Sequence, residues 1–409
     1  MSDPASAPQL PPSPPQSGSA GEVFGVFLLL GLSSFGGPSA HIGYFRDAFV
    51  TRRRWLSETD FAGLLALCQF LPGPTSSKLG FALGLGRAGW RGALAAFTGF
   101  TLPSALLLLG FAWLSQHATA SGLLAGVTEG LKVAAVAIVA QAVLSMAQSL
   151  CRGWLLASIA VLAFAILAFW PSAWGMMAAM LLGGAIGLSQ SPSARQSAPA
   201  PMSLPVSARQ GQLAAAAFIL LLVGLPWLAP LSQLWALSDA FYRSGALVFG
   251  GGHVMLPLLE AEVVNTGWIS EARFLAGYGA AQAVPGPLFT FAADLGAVIA
   301  PMGSPLLGAS IALIAIFLPG FLLLIAALPF WQGLQRSTTL RSGVAGANAA
   351  VTGILAATLY HPVASSALKA PADLLLAVLC FTALIVLKLP SWAVVLGAAA
   401  WGAAQALLS

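Results

Sequence analysis

A chain of 409 residues that is 58% hydrophobic and 7% charged is not a soluble globular protein, whose charged fraction runs near a quarter. It reads as an integral membrane protein with the lipid bilayer as its first partner. The 17 Lys and Arg outnumber the 12 Asp and Glu to give +5, an excess that fits basic inner loops and sets nucleic acid aside. Cys68, Cys151 and Cys380 stand singly, with no CxxC spacing, so neither a disulfide framework nor a metal site is indicated.

In chain order, residues 1–21 open with "MSDPASAPQLPPSPPQSGSA", a Pro- and Ser-rich stretch without the basic residues of a signal peptide, and read as a disordered tail. Apolar runs near the length needed to cross hydrocarbon centre on 23–45, 61–86, 92–115, 123–148, 154–170 and 173–189. A polar linker at 190–212 and a linking transmembrane helix at 213–236 follow. Further runs lie at 240–260, 274–300, 306–331, 341–360, 371–388 and 391–408.

The two sets repeat one another. "SFGGPSAHIGYF" aligns with "VFGGGHVMLPLL", "WLSETDF" with "WISEARF", "QFLPGP" with "QAVPGP" and "FTLPS" with "IFLPG". This register pairs Phe35 with Phe249, Trp55 with Trp268, Glu58 with Glu271, Gln69 with Gln282 and Pro103 with Pro319. Such clustered matches mark a duplicated unit. Seven segments separate equivalent elements, and an odd number inverts one copy relative to the other. The expected fold is therefore an all-α polytopic membrane protein with two homologous halves, residues 22–189 and 237–409. They are arranged as inverted repeats, with broken or re-entrant helices at the FGG and PGP motifs.

Charge places the ends. If the segments around the breaks fold back as hairpins, Arg46, Arg52, Arg53, Arg54, Arg87, Arg91, Arg152, Arg195, Arg209, Arg336, Arg341 and Lys388 fall inside. Only Arg243, Arg273 and Lys369 then fall outside, with Lys78 and Lys132 in the membrane. Plain spans split the basic residues far more evenly, so the positive-inside rule favours hairpins, a cytoplasmic N-terminus and a periplasmic C-terminus.

Irregular backbone at membrane depth persists only where protein or a polar cavity satisfies its N–H and C=O groups, which makes the breaks site candidates. At the first PGP box, Pro72, Gly73 and Pro74 precede Thr75, Ser76, Ser77 and Lys78. Pro74 suits the start of a helix whose first turn offers free amides and hydroxyls, with Lys78 leaning back over it. That is a cradle for a small anion; the blander reading has Lys78 reaching to an interface. Pro285, Gly286 and Pro287 repeat the break without the cation, and Gln69 and Gln282 are expected to face each other across the pseudo-dyad. Gly36, Gly37, Gly250 and Gly251 form the other pair of breaks, where backbone can approach a ligand or another helix closely. Arg243 is expected either to serve another segment or to reach an interface. Asp294 has no evident local partner and is a proton-coupling candidate, beside His41, His253 and Glu129; Glu129 and Lys132, three residues apart, are also placed to neutralise each other.

"SFGGPSAHIGYFRDAFV", "RRRWLSETDFAGLLALCQFLPGPTSSKLGFALGLGRAGWRGALAAF" and "FTLPSALLL", with "SGALVFGGGHVMLPLLE", "WISEARFLAGYGAAQAVPGP" and "FLPGFLLL", resemble the chromate ion transporter family in its two-domain long-chain form. The resemblance covers nearly all but the tail, the linker and the final segments. Where many relatives have glutamine after the PGP serines, this chain has Lys78. The resemblance implies a bacterial inner-membrane protein that exports chromate, a sulfate-like dianion, with the proton motive force, giving chromate resistance. It implies an antiporter without cofactor or metal, not an enzyme; a homodimer is compatible with it. The residues alone reach a small-anion transporter. A carrier of sulfate or another oxyanion, a passive anion channel and a membrane-embedded enzyme are the alternatives.

Overall fold

The computed structural model describes residues 18–117, 122–189, 204–249, 251–331 and 337–408. Gly250, residues 1–17 of the tail and residues 190–203 of the linker lie outside them. Among the described residues the regular structure is helical, with no strand. The first half contributes α1 (Ala20–Ser33), α2 (Gly37–Arg46) with a π turn over Asp47–Arg52, α3 (Glu58–Phe70), α4 (Thr75–His117), α5 (Gly122–Leu150), α6 (Trp154–Phe169) and α7 (Ala173–Leu188). After α8 (Ala208–Leu228) come α9 (Gln233–Leu247), α10 (Met255–Val263), α11 (Glu271–Ala283), α12 (Phe291–Ile299), α13 (Pro305–Ala327), α14 (Thr338–Thr358), α15 (Pro371–Ile385) and α16 (Ser391–Leu408).

The duplicated sequence makes duplicated local structure. Ser57 caps α3 by accepting from Asp60 N–H, and Ser270 caps α11 by accepting from Arg273 N–H. Both helices stop at the residue before a proline. Leu71 (ψ 148°) and Val284 (ψ 149°) are extended, because a following proline ring disfavours the helical conformation. Gly73 and Gly286 then turn the chain at φ 98° and 99°, where a side chain would be strained.

α4 looks like one long span but is two arms. Ala88 (φ −141°) and Gly89 (φ 62°) are non-helical, and a Cβ placed on Gly84 would lie 2.4 Å from the Gly92 carbonyl oxygen. Eight residues apart in a straight helix they would be about 12 Å away, so the chain reverses and the arms pack together. The second half makes the same reversal between α12 and α13, where Gly296 and Gly308 are in similar contact.

Each half therefore opens with two helical hairpins that return to the end they left. In the first half, Gly18 N–H donates to Arg87 O, the Arg87 guanidinium bonds Glu22 at 3.0 Å, and it sits 5.0 Å above the Trp55 ring. The starts of α1 and α3 and the end of the first arm of α4 thus meet at one face, here the near face. In the second half the equivalent hairpin bases meet at the opposite, far face. The second arm of α4 joins the two. It leaves Gly84 at the near face and reaches the far face, where Phe111 lies under the Arg273 guanidinium (5.0 Å) and Gln116 Nε2 approaches Ala297 O (3.5 Å). Those 28 residues or so span roughly 40 Å, enough to cross a bilayer. The halves are inverted, and residues 46–60 share a face with the start of α1, as the hairpin reading expects.

The remaining helices are exchanged between the halves. α5 packs against α15 and α16, and α14 packs against α6 and α7. Small residues permit this approach: a Cβ on Gly126 would lie 2.2 Å from Gly402 O, and one on Gly353 1.9 Å from Ala160 O. With lipid outside, such close packing supplies the association that hydrophobicity gives in water.

Candidate oxyanion site at the junction of four breaks

The four breaks meet in the middle of the molecule, and they meet crosswise. Gly73 N–H of the first PGP turn donates to Val248 O of the second FGG break at 2.7 Å, and Gly286 N–H of the second PGP turn donates to Ser34 O of the first at 2.9 Å. Gly73 is equivalent to Gly286 and Ser34 to Val248, so one bond is the pseudo-symmetric image of the other. A Cβ on Gly73 would lie 2.9 Å from Gly320 Cα, and one on Gly286 would lie 2.8 Å from Ser104 Oγ; Ser104 and Gly320 each follow a paired proline. Pro74 and Pro285 are buried with them. Gly36 (φ 101°), Gly37 (φ 78°) and Gly251 (φ 144°) carry the chain through the FGG breaks.

Lys78 is fully buried, and its ammonium donates to Leu71 O at 2.6 Å and Pro72 O at 2.9 Å. It leans back over its own turn as expected. Its partners, however, are the last carbonyls before the break, so it neutralises the negative end of α3 and braces the PGP turn. His41, also buried, is a second clip: Nε2 lies 3.2 Å from Ser34 O and Nδ1 3.3 Å from Ser76 Oγ. A carbonyl only accepts, so the ring proton is on Nε2, and Nδ1 then accepts from the Ser76 hydroxyl in the neutral ring.

Several polar groups here are left over. Ser34 Oγ, Ser77 Oγ, Thr101 Oγ1 and Gln282 Nε2 are buried without a hydrogen-bond partner. Ser34 belongs to the first FGG break, Ser77 follows the first PGP turn, and Gln282 precedes the second. Thr101 lies one turn from Ser104, which touches Gly286. All four can donate, and an unpaired buried donor costs about 1–3 kcal/mol. The amides of the α4 first turn, at Thr75, Ser76 and Ser77, which have no intrahelical acceptor, add further donors. Together they are a set of neutral N–H and O–H groups with helix N-termini behind them, the chemistry that takes an oxyanion.

Other expectations are redirected. Gln69 and Gln282 do not face each other: Gln69 is exposed, whereas Gln282 is buried beside Tyr278, because α3 and α11 present these positions to different surroundings. Asp294 does have a partner. Arg273, across the hairpin from it, donates Nη1 to Oδ2 at 3.0 Å and Nη2 to Oδ1, a bidentate pair with Asp294 fully buried. Arg243 bonds Asp239 at 2.6 Å and, on the neighbouring segment, Glu262 at 3.2 Å, closing the α9–α10 hairpin. Glu129 accepts from Lys132 at 2.6 Å, the mutual neutralisation that their spacing allows. His253 Nδ1 lies 2.7 Å from the hydroxyl of Tyr278, the residue that Gln282 also adjoins. The sequence reading passed over Ser34 and Thr101. Both stand beside quoted motif residues, but a lone hydroxyl on an apolar helix gives no signal until its neighbours are known. Among the described residues no group of three or more metal-ligating side chains is gathered.

This architecture, inverted broken-helix repeats joined at mid-depth, defines a polytopic membrane transporter. The chromate transporter family model matches residues 21–188 and 235–403, and the chain belongs to that family, whose members are transporters rather than enzymes. Similar curated proteins include the chromate transport protein of Pseudomonas aeruginosa, 28% identical over 82% of this chain and 79% of the relative. That of Cupriavidus metallidurans is 28% identical over 96% and 97%, and the probable chromate transport protein of Synechococcus elongatus is 29% identical over 81% of each. No solved structure matches the chain.

Proposed function

We propose that this protein exports chromate, or a tetrahedral dianion of like shape, from the near face to the far face in exchange for protons, and so confers chromate resistance. The observation that carries the reading is the set of unpartnered donors, Ser34, Ser77, Thr101 and Gln282, at a junction built equally from both inverted repeats. A dianion is held well by several N–H and O–H donors. Neutral donors aided by helix dipoles also release it more readily than a paired lysine would, as transport requires. Thr75, Ser76, Ser77, Gly36, Gly37 and Gly251 supply backbone around it, while Pro72, Pro74, Pro285, Pro287 and Lys78 hold the turns. The near face carries Arg46, Arg52, Arg53, Arg54, Arg87 and Arg91, which supports a bacterial inner-membrane orientation with that face and the N-terminus cytoplasmic. The names of the chromate transport proteins it resembles favour chromate over sulfate.

The test is uptake of labelled chromate by energised, inverted membrane vesicles, with and without excess sulfate and an uncoupler. Uncoupler-sensitive accumulation is expected, with weak inhibition by sulfate. Strong inhibition by sulfate would shift the substrate to that dianion, and accumulation no greater than in empty vesicles would overturn export.

A further inference from the structure

The register that pairs the repeats also pairs Arg46 with Glu260 and Glu58 with Glu271. In the first half these positions form an ion pair, Arg46 Nε to Glu58 Oε1 at 2.7 Å, with both side chains more than half exposed. In the second half the same two positions are both carboxylates, Glu260 buried and Glu271 half-buried. Glu260 is 8% exposed, with no hydrogen bond to its carboxyl group among the described residues, and Glu271 Oε1 is buried without a partner. The connector holds them close. Asn265 N–H donates to Glu260 O and Ile269 N–H to Val263 O, which ties the start of α11 to the end of α10, and the Glu271 carboxylate repels that of Glu260.

The neighbouring cations are engaged elsewhere. α10 packs against α7, α9, α11, α14 and the short turn Gly252–Val254, whose His253 Nδ1 lies 2.7 Å from the Tyr278 hydroxyl. On α9, Arg243 bonds Asp239 and the α10 residue Glu262; on α11, Arg273 bonds Asp294. α7 has no charged residue, and Arg341, the charged residue of α14, is exposed in its first turn. A buried carboxylate facing a second acid, with no free cation beside it, keeps its proton more readily. The far-face hairpin base has lost the arginine of its near-face twin and put an acid in its place.

We propose that Glu260 and Glu271 form a proton-binding pair at the far face, the point at which protons enter in exchange for the exported anion. The coupling role rests on the export reading above; the shared proton does not. With the proton bound, Glu260 presents no charge to Glu271 and the α10–α11 base closes. With the proton lost, the two carboxylates repel and push that base apart. α10 follows directly from the second FGG break, whose Val248 carbonyl holds Gly73 at the junction, so the protonation state of the pair bears on the donors that would hold the anion.

The experiment uses the full chain reconstituted in lipid. Infrared difference spectra across a pH titration should show a protonated-carboxyl band that disappears in both Glu260→Gln and Glu271→Gln and persists in Glu58→Gln. Glu260→Arg, which restores the ion pair of the first half, should fold and should remove the dependence of chromate flux on far-face pH. A band unchanged in both glutamine variants, or a Glu260→Arg protein with the original pH dependence, would overturn the proposal. If flux in the unaltered protein ignores the proton gradient, the exchange reading and the coupling role fall together, while the infrared band still decides whether the pair holds a proton.

Discussion

At the PGP turn of the first repeat a buried lysine binds two carbonyls of its own turn, whereas the same place in the second repeat is Phe291 and the basic side chain sits at the hairpin base instead, as Arg273 on Asp294. Asp60 and Phe81 are their counterparts in the first repeat, one half-buried at the start of α3 and one in the apolar core. One skeleton is thus braced near its apex in one copy and near its base in the other. Duplication fixes backbone geometry through glycines and prolines, which have few substitutes, while charged groups drift to whichever end of the hairpin can bury them in pairs. The apex free of a cation and the base clamped by one give the repeats different stiffness, a natural division between an element that moves and one that anchors.

That division can be broken in graded steps. Asp294→Ala strands a largely buried guanidinium and should cost the most, about 3–5 kcal/mol. It would read as a marked loss of thermal stability in detergent, with much of it recovered in the double variant that also removes Arg273. Gly73→Ala combines a left-handed conformation with backbone contact at Gly320 and should cost about 2–4 kcal/mol and abolish flux. Gly286→Ala should be milder, since the atom it meets is the Ser104 hydroxyl, which can rotate; flux measurements on the pair test the asymmetry directly. Lys78→Ala should lose about 2–3 kcal/mol from its two charge-assisted bonds and most of the flux, while Lys78→Gln, which keeps donors toward Leu71 and Pro72, should retain both better. Arg46→Ala, at an exposed ion pair, should leave stability unchanged within error and serves as the near-face control.

Much of this architecture is legible in the chain because it is written in residues with rigid backbone consequences. The FGG and PGP boxes, the Trp-x-Ser-Glu turns and the basic loop after α2 give the repeat, its inversion and the returning hairpins. The partners of individual side chains are less legible. Arg273 and Asp294 are 21 residues apart and meet only because a hairpin folds between them. The two glutamines before the PGP boxes share a register position yet not an environment, since pseudo-symmetry governs backbone more strictly than surroundings. Lys78 was readable as a cation at a helix start; that it turns to carbonyls rather than a ligand depends on Leu71 and Pro72 being extended beside it.

The crosswise bonds of Gly73 to Val248 and Gly286 to Ser34, with the exchange of α5 and α14 between halves, also govern how the protein must be made. When the first half has left the ribosome and entered the membrane, its two turns still lack their backbone partners and α5 lacks the helices it will pack on. It has to wait, incompletely bonded, for the second half to be inserted upside down beside it. Two halves produced as separate chains should therefore find each other and function, whereas either half alone should be a substrate for quality-control proteolysis.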